Sequence, residues 1–105
     1  MAENKITSYP KEKINILFLE NISDVAVKHF NASGYVNVKK INAALSEEEL
    51  TAAIKHVHLL GIRSKTQVTK KILDAASRLQ AIGCFCIGVN QVDLKAATKN
   101  GVAVF

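Results

Sequence analysis

The residues of this 105-residue chain best suited to chemistry fall in two short stretches, GIRSKT at 61–66 and AIGCFCIGVNQ at 81–91. In the first, Arg63 offers a planar fork suited to phosphate or carboxylate, Lys65 adds a second positive charge, and Ser64 and Thr66 add hydroxyl donors. That set is equipped to bind an anion. In the second, two cysteines one residue apart raise three readings: a metal site, a redox couple, or a turn that brings backbone to an anion. A structural zinc site needs about four ligands at characteristic spacing, which Cys84 and Cys86 do not supply even with His29, His56 and His58. A redox couple wants C-x-x-C at a helix N-terminus. The turn remains: Gly88 lets main chain approach a ligand, the amides of Ile87 and Gly88 precede an expected helix and can cradle a carboxylate, and the cysteines are small buried filler. Asn90 and Asp93 are then expected to cap that helix.

A scaffold must hold these stretches at one place. INILFLE at 14–20 is a continuous apolar run of strand length, suited to a strand covered on both faces. Ser23-Asp24 can start a helix over VAVKHFNAS, stopped at Gly34. YVNVKKI alternates and reads as a strand nearer an edge. Ser46 with Glu49 forms a capping box opening a helix to about Lys55, and VHLLGI is the third strand. Thr69 opens a helix over KKILDAASRL, LQAIGCF is the fourth strand, VDLKAATKN a last helix stopped by Gly101, and VAVF the fifth strand. Strict alternation of strand and helix predicts an α/β fold: right-handed crossovers and a five-stranded parallel sheet of flavodoxin-like order 2-1-3-4-5, with helices on both faces. Ligands of such sheets sit beyond the carboxyl ends of the strands, near the switch point between strands one and three. Glu20-Asn21, the 63–66 loop and the cysteine loop all fall at that edge.

The length suits one domain, with a loose polar leader over 1–13 and one unit over 14–105. Fourteen Lys and Arg against nine Asp and Glu give a formal charge of +5, but the lysines are scattered and aromatics make up only 6%, which argues against nucleic acid. No apolar run approaches the ~20 residues of a membrane span, and the N-terminus lacks the apolar core of a signal peptide. Two closely spaced cysteines fit a reducing compartment. The expectation is a cytoplasmic location with no membrane association. No dinucleotide fingerprint, phosphate loop or nucleophile elbow is present, so taken alone the residues describe an anion-binding unit without catalytic machinery.

GIRSKTQVT followed by AIGCFCIGVNQVDLKAATKNGVAVF resembles the N-terminal part of members of the D-isomer-specific 2-hydroxyacid dehydrogenase family, and the likeness extends from INILFLEN to Phe105. The resemblance implies the N-terminal portion of a substrate-binding domain, with the inserted NAD-binding domain and a C-terminal regulatory domain absent from this chain. It implies 3-phosphoglycerate as substrate, oxidised with NAD in the first step of serine synthesis by a complete enzyme that is a homo-oligomer. The family's catalytic Arg, Glu and His are not in this chain, so the chain alone is expected to be inactive and to bind no NAD. Carried over, Arg63, Lys65 and Ser64 contact the substrate phosphate and the amides of Ile87 and Gly88 its carboxylate. Asn42 stands where related bacterial enzymes carry a lysine, so phosphate recognition is expected to be weaker or to use Lys39 or Lys40. A competing class is a stand-alone signalling or anion-binding module of flavodoxin-like architecture. Receiver domains, however, need acidic residues after strands one and three, where Glu20-Asn21 and Arg63 stand. A flavin phosphate would want a Ser/Thr/Gly-rich run after strand one, which is absent.

Overall fold

The computed structural model describes residues 10–86 and 88–105. Five strands, β1 (Asn15–Phe18), β2 (Asn37–Lys40), β3 (Leu59–Ile62), β4 (Ala81–Cys84) and β5 (Ala103–Val104), pair in parallel in the order β2-β1-β3-β4-β5. Four helices connect them: α1 (Asp24–Ala32), α2 (Glu47–Ala53), α3 (Lys70–Ala75) and α4 (Leu94–Lys99). The architecture is the one expected from the alternation of elements.

Side-chain alternation along β1 divides the core. Ile16 and Phe18 face α1 and join Ile14, Ile22, Ala26, Val27 and Phe30, while Leu17 and Leu19 face the opposite side, with Leu50, Ile72, Leu73, Ala96 and Ala97 from the other three helices and Ile54 from the 3-10 turn that follows α2. Helices therefore cover both faces, but unequally. On the α1 side, β3 and β4 present Gly61 and Gly83, and Phe18 lies so close to Gly61 that an added Cβ would come within 2.5 Å of its ring. Phe18 also meets Phe30 and Phe85 edge to face, at 5.6 and 5.8 Å between centroids.

Local capping follows the sequence in most places. The Ser23 hydroxyl accepts from the Val25 amide, the Ser46–Glu49 capping box is formed, and the Asp93 carboxylate accepts from the Ala96 amide. Gly34 closes α1 in the left-handed region at φ +101°. Thr69 differs: its hydroxyl makes no cap bond and instead donates to the Glu47 carboxylate of α2. Helix α3 is also shorter than its apolar periodicity suggests, because the Gln80 amide must donate to the His58 carbonyl to begin β4, and the chain turns after Ala75 to reach it. Residues 11–13, read as the end of a loose leader, form a 3-10 turn held by Lys11, whose ammonium donates to the Ser33 carbonyl at 3.0 Å and lies over the Tyr35 ring.

Candidate anion-binding site

The carboxyl end of β1 builds the site. The Leu19 amide still donates to the Gly61 carbonyl, after which Glu20 and Asn21 both enter the left-handed region, at φ 62° and 56°. Two successive non-glycine residues there are strained, and the neighbouring loops hold them. The Glu20 amide donates to the Ala43 carbonyl at 3.1 Å and the Asn21 amide to the Ile41 carbonyl at 3.2 Å. The Glu20 side chain turns toward the loop after β3. Its carboxylate accepts from the amides of Arg63 (2.8 Å), Lys65 (2.8 Å) and Thr66 (3.0 Å). Burial pushes this carboxyl up, but the Thr66 hydroxyl and the three amides outweigh it and hold it below the ordinary value of 4.5. The Thr66 hydroxyl is buried and has no well-aligned hydrogen-bond partner among the described residues.

With the amides of Arg63, Lys65 and Thr66 tied inward, the loop leaves Arg63, Ser64 and Lys65 exposed. They line a cleft of about 340 Å³ together with Glu20, Asn21, Asn42, Ala43 and Ala44, at the switch point between β1 and β3. Two cations and one carboxylate already bound to amides leave an electropositive, polar cleft. Asn42 forms part of its wall. Neither lysine considered as a substitute does: the Lys40 ammonium is held by Asp24 at 2.7 Å, and Lys39 lines a separate groove beside the edge strand β2. That groove, about 530 Å³, is the larger depression but holds no cluster of anion-binding side chains.

Ser64 also borders a second polar hollow of about 320 Å³, shared with Gln67, Cys86, Asn90 and Gln91. Buried Gln91 joins its two sides by donating from Nε2 to the Arg63 carbonyl at 2.9 Å and to Cys86 Sγ at 2.8 Å. The bridge Val68–Val92 and the bond from the Val68 amide to the Gln91 carbonyl seal the same junction. Gly88 is exposed and left-handed at φ +85°, a conformation that suits glycine. Ile87, whose amide was expected to cradle a carboxylate, lies outside the described residues.

Three expectations for this loop need correction. Helix α4 begins only at Leu94 with Asp93 as its cap, so its N-terminal dipole acts beyond Gly88 and falls off within a turn. Asn90 makes no cap and lines the hollow instead. The cysteines are half-buried, since β5 pairs only two residues and leaves the end of β4 partly open, and Cys86 takes part in the hydrogen bonding by donating to the Gly88 carbonyl at 3.7 Å. Burial and then neighbouring Cys86 push the Cys84 thiol up, away from nucleophilic use. Among the described residues no group of three His, Cys, Asp or Glu side chains could hold a metal ion. His58 is buried at the opposite edge, where Nδ1 accepts from the Asn15 amide at 3.0 Å.

Sequence reasoning placed Glu20 at this edge without a role. The signal was an acidic residue directly continuing the apolar run ILFL, where a buried charge demands partners.

The parallel sheet of order β2-β1-β3-β4-β5, with a cationic cleft at its switch point, defines a doubly wound α/β protein. The chain belongs to the D-isomer specific 2-hydroxyacid dehydrogenases, since the profile of that family's catalytic domain matches residues 16–105. Among curated relatives, it is 57% identical over 99 residues to the D-3-phosphoglycerate dehydrogenase of Dictyostelium discoideum and 45% identical over 98 residues to that of Escherichia coli K12. These alignments take in 94% and 93% of this chain but 24% of each relative, so the chain spans about a quarter of their length. In structure, it superposes on a crystallised Pyrococcus horikoshii protein with a TM-score of 0.76 at 27% identity, over 86% of this chain and 26% of that one. The NAD+-bound 3-phosphoglycerate dehydrogenase of Entamoeba histolytica shares the fold, with a TM-score of 0.72 at 17% identity, over 87% of this chain and 32% of that one.

The residues described do not fit the pyrophosphate of a dinucleotide. The turn after β1 is Leu19-Glu20-Asn21-Ile22-Ser23, with no glycine, and the Glu20 carboxylate occupies the nearby amides that an anion would otherwise use. No helix of the described residues is long and apolar enough to cross a membrane.

Proposed function

We propose that this chain is the N-terminal portion of the substrate-binding domain of an NAD-dependent D-3-phosphoglycerate dehydrogenase, which converts 3-phosphoglycerate to 3-phosphohydroxypyruvate at the start of L-serine biosynthesis. The observation that carries the reading is the cleft between β1 and β3, where Arg63, Ser64 and Lys65 stand exposed on a loop three of whose amides Glu20 engages. Named relatives matching nearly the whole chain supply the substrate. In this reading Arg63 and Lys65 hold the phosphate, Ser64 adds a hydrogen bond, and the turn at Ile87-Gly88 receives the carboxylate. Ser64 borders both polar hollows, so a substrate held at its two ends would lie across it. The local contribution is orientation of a bound anion; proton transfer and NAD belong to residues beyond this chain. The working enzyme is a cytoplasmic homo-oligomer acting on a small molecule.

The test is titration of the chain, followed by amide NMR shifts. 3-Phosphoglycerate should shift signals of 63–66 saturably and at lower concentration than D-glycerate, which lacks the phosphate. Equal responses to the two compounds would remove the phosphate from this cleft.

A further inference from the structure

Glu20 is a buried carboxylate that touches no cation within salt-bridge distance among the described residues, and all three of its well-formed hydrogen bonds come from one loop. Its backbone sits at φ 62°, where a glycine would keep the same turn at lower conformational cost. The side chain is therefore the reason for a glutamate at this position. We propose that Glu20 is a positioning residue of the anion site, whose carboxylate takes up the amides of Arg63, Lys65 and Thr66 so that a ligand is met by the side chains of Arg63, Ser64 and Lys65 and not by those three amides. The proposal rests on the reading of that cleft as the anion site.

The geometry explains how this works. Amides at 2.8, 2.8 and 3.0 Å from one carboxylate form a concavity of the kind that binds phosphate when it is empty. Here the chain fills it with an anion of its own. Because the Glu20 amide is bound to the Ala43 carbonyl, the same residue also ties the loop after β3 to the segment carrying Asn42. Glu20 thus sets the spacing between the cleft walls. The backbone at Arg63 and Lys65 is thereby fixed, although both side chains are exposed.

Glu20→Gly tests this, since it deletes the carboxylate and suits the left-handed backbone. The full chain is titrated with 3-phosphoglycerate, with and without propionate, the free ion equivalent to the missing side chain. The dissociation constant should rise at least about tenfold in the variant, in keeping with loss of charge-assisted bonds, and propionate should restore it saturably. A purely structural role would not respond to the added ion. Affinity equal to or tighter than wild type, or a loss that propionate leaves unchanged, overturns the proposal. Should Glu20→Gly fail to fold, Glu20→Gln takes its place: its amide group must turn a donor toward a donor, so affinity should fall at least about fivefold, and unchanged affinity overturns the proposal. If wild type does not bind 3-phosphoglycerate, the proposed substrate is wrong, and the amide signals of Arg63, Lys65 and Thr66 in Glu20→Gly decide the positioning role separately. Saturable shifts with propionate support it, and their absence refutes it.

Discussion

Gln91→Ala removes the side chain that joins the two loops of the site, and its cost follows from what each partner loses. Nε2 donates to the Arg63 carbonyl at 2.9 Å and to Cys86 Sγ at 2.8 Å, from a side chain only 7% exposed. The bond to the carbonyl contributes about 0.5–1.5 kcal/mol net, and the bond to sulfur less. The Arg63 carbonyl would then stand beside a new hollow that opens on the polar pocket, so water can reach it and the full penalty of a buried orphan acceptor, about 1–3 kcal/mol, should be only partly felt. The expected loss is about 1.5–3 kcal/mol, measured as a lower urea midpoint with an unchanged m-value. For a domain of this size that corresponds to a fall in Tm of about 5–15 °C. Affinity for 3-phosphoglycerate should fall as well, because the carbonyl released belongs to the residue that carries the guanidinium. A stability change under about 0.5 kcal/mol with undiminished ligand affinity would refute the view that Gln91 couples the loops.

Other perturbations probe the scaffold beneath the cleft. Gly61→Ala would place a Cβ 2.5 Å from Phe18 Cδ1 and 3.1 Å from Ile22 Cδ1, both in the core, and should destabilise by about 1–3 kcal/mol in chemical denaturation. Stability equal to wild type would mean that Phe18 moves freely despite its contacts with Phe30 and Phe85. Burial, then repulsion from Arg78, holds the His58 imidazole below its ordinary 6.5, and its Nδ1 must stay unprotonated to accept from Asn15. A depressed value in the folded state means that this stabilisation is complete above pH 6.5 and is lost as pH falls through the lower folded value. Urea midpoints across that range should decline for wild type and stay flatter for His58→Gln, whereas parallel curves would contradict the assignment.

The fold was readable because the central strands are short apolar runs and the edge strand β2 alternates, and Ser23, Ser46 with Glu49, and Asp93 cap as their types predict. What could not be read was cooperation between distant segments. Thr69 serves Glu47 of another helix rather than its own, and α3 stops early because Gln80 must pair with His58. At the cleft, the placement of Arg63, Ser64 and Lys65 was legible because strand order dictates which loops meet at the carboxyl edge of the sheet. The role of Glu20 depends on amides 43–46 positions away, and that of Gln91 on a carbonyl 28 positions back, which no local pattern encodes. The last helix begins at Leu94 and not at Val92 because Val92 pairs with Val68, which leaves Asp93 as the cap.

Whether Arg63 anchors a phosphate can be read from the Michaelis constant of the complete dehydrogenase carrying Arg63→Ala. A lost charge-assisted, two-pronged contact of about 1.5–3 kcal/mol is reduced toward its lower end by the exposure of Arg63, so the constant for 3-phosphoglycerate should rise about tenfold or more. For D-glycerate, which has no phosphate to lose, kcat/KM should change less than about twofold, and added salt should weaken the phosphorylated substrate more in wild type than in the variant. Equal losses for both substrates, with circular dichroism unchanged, would contradict the account and make Arg63 a support of the loop rather than the anchor of the phosphate.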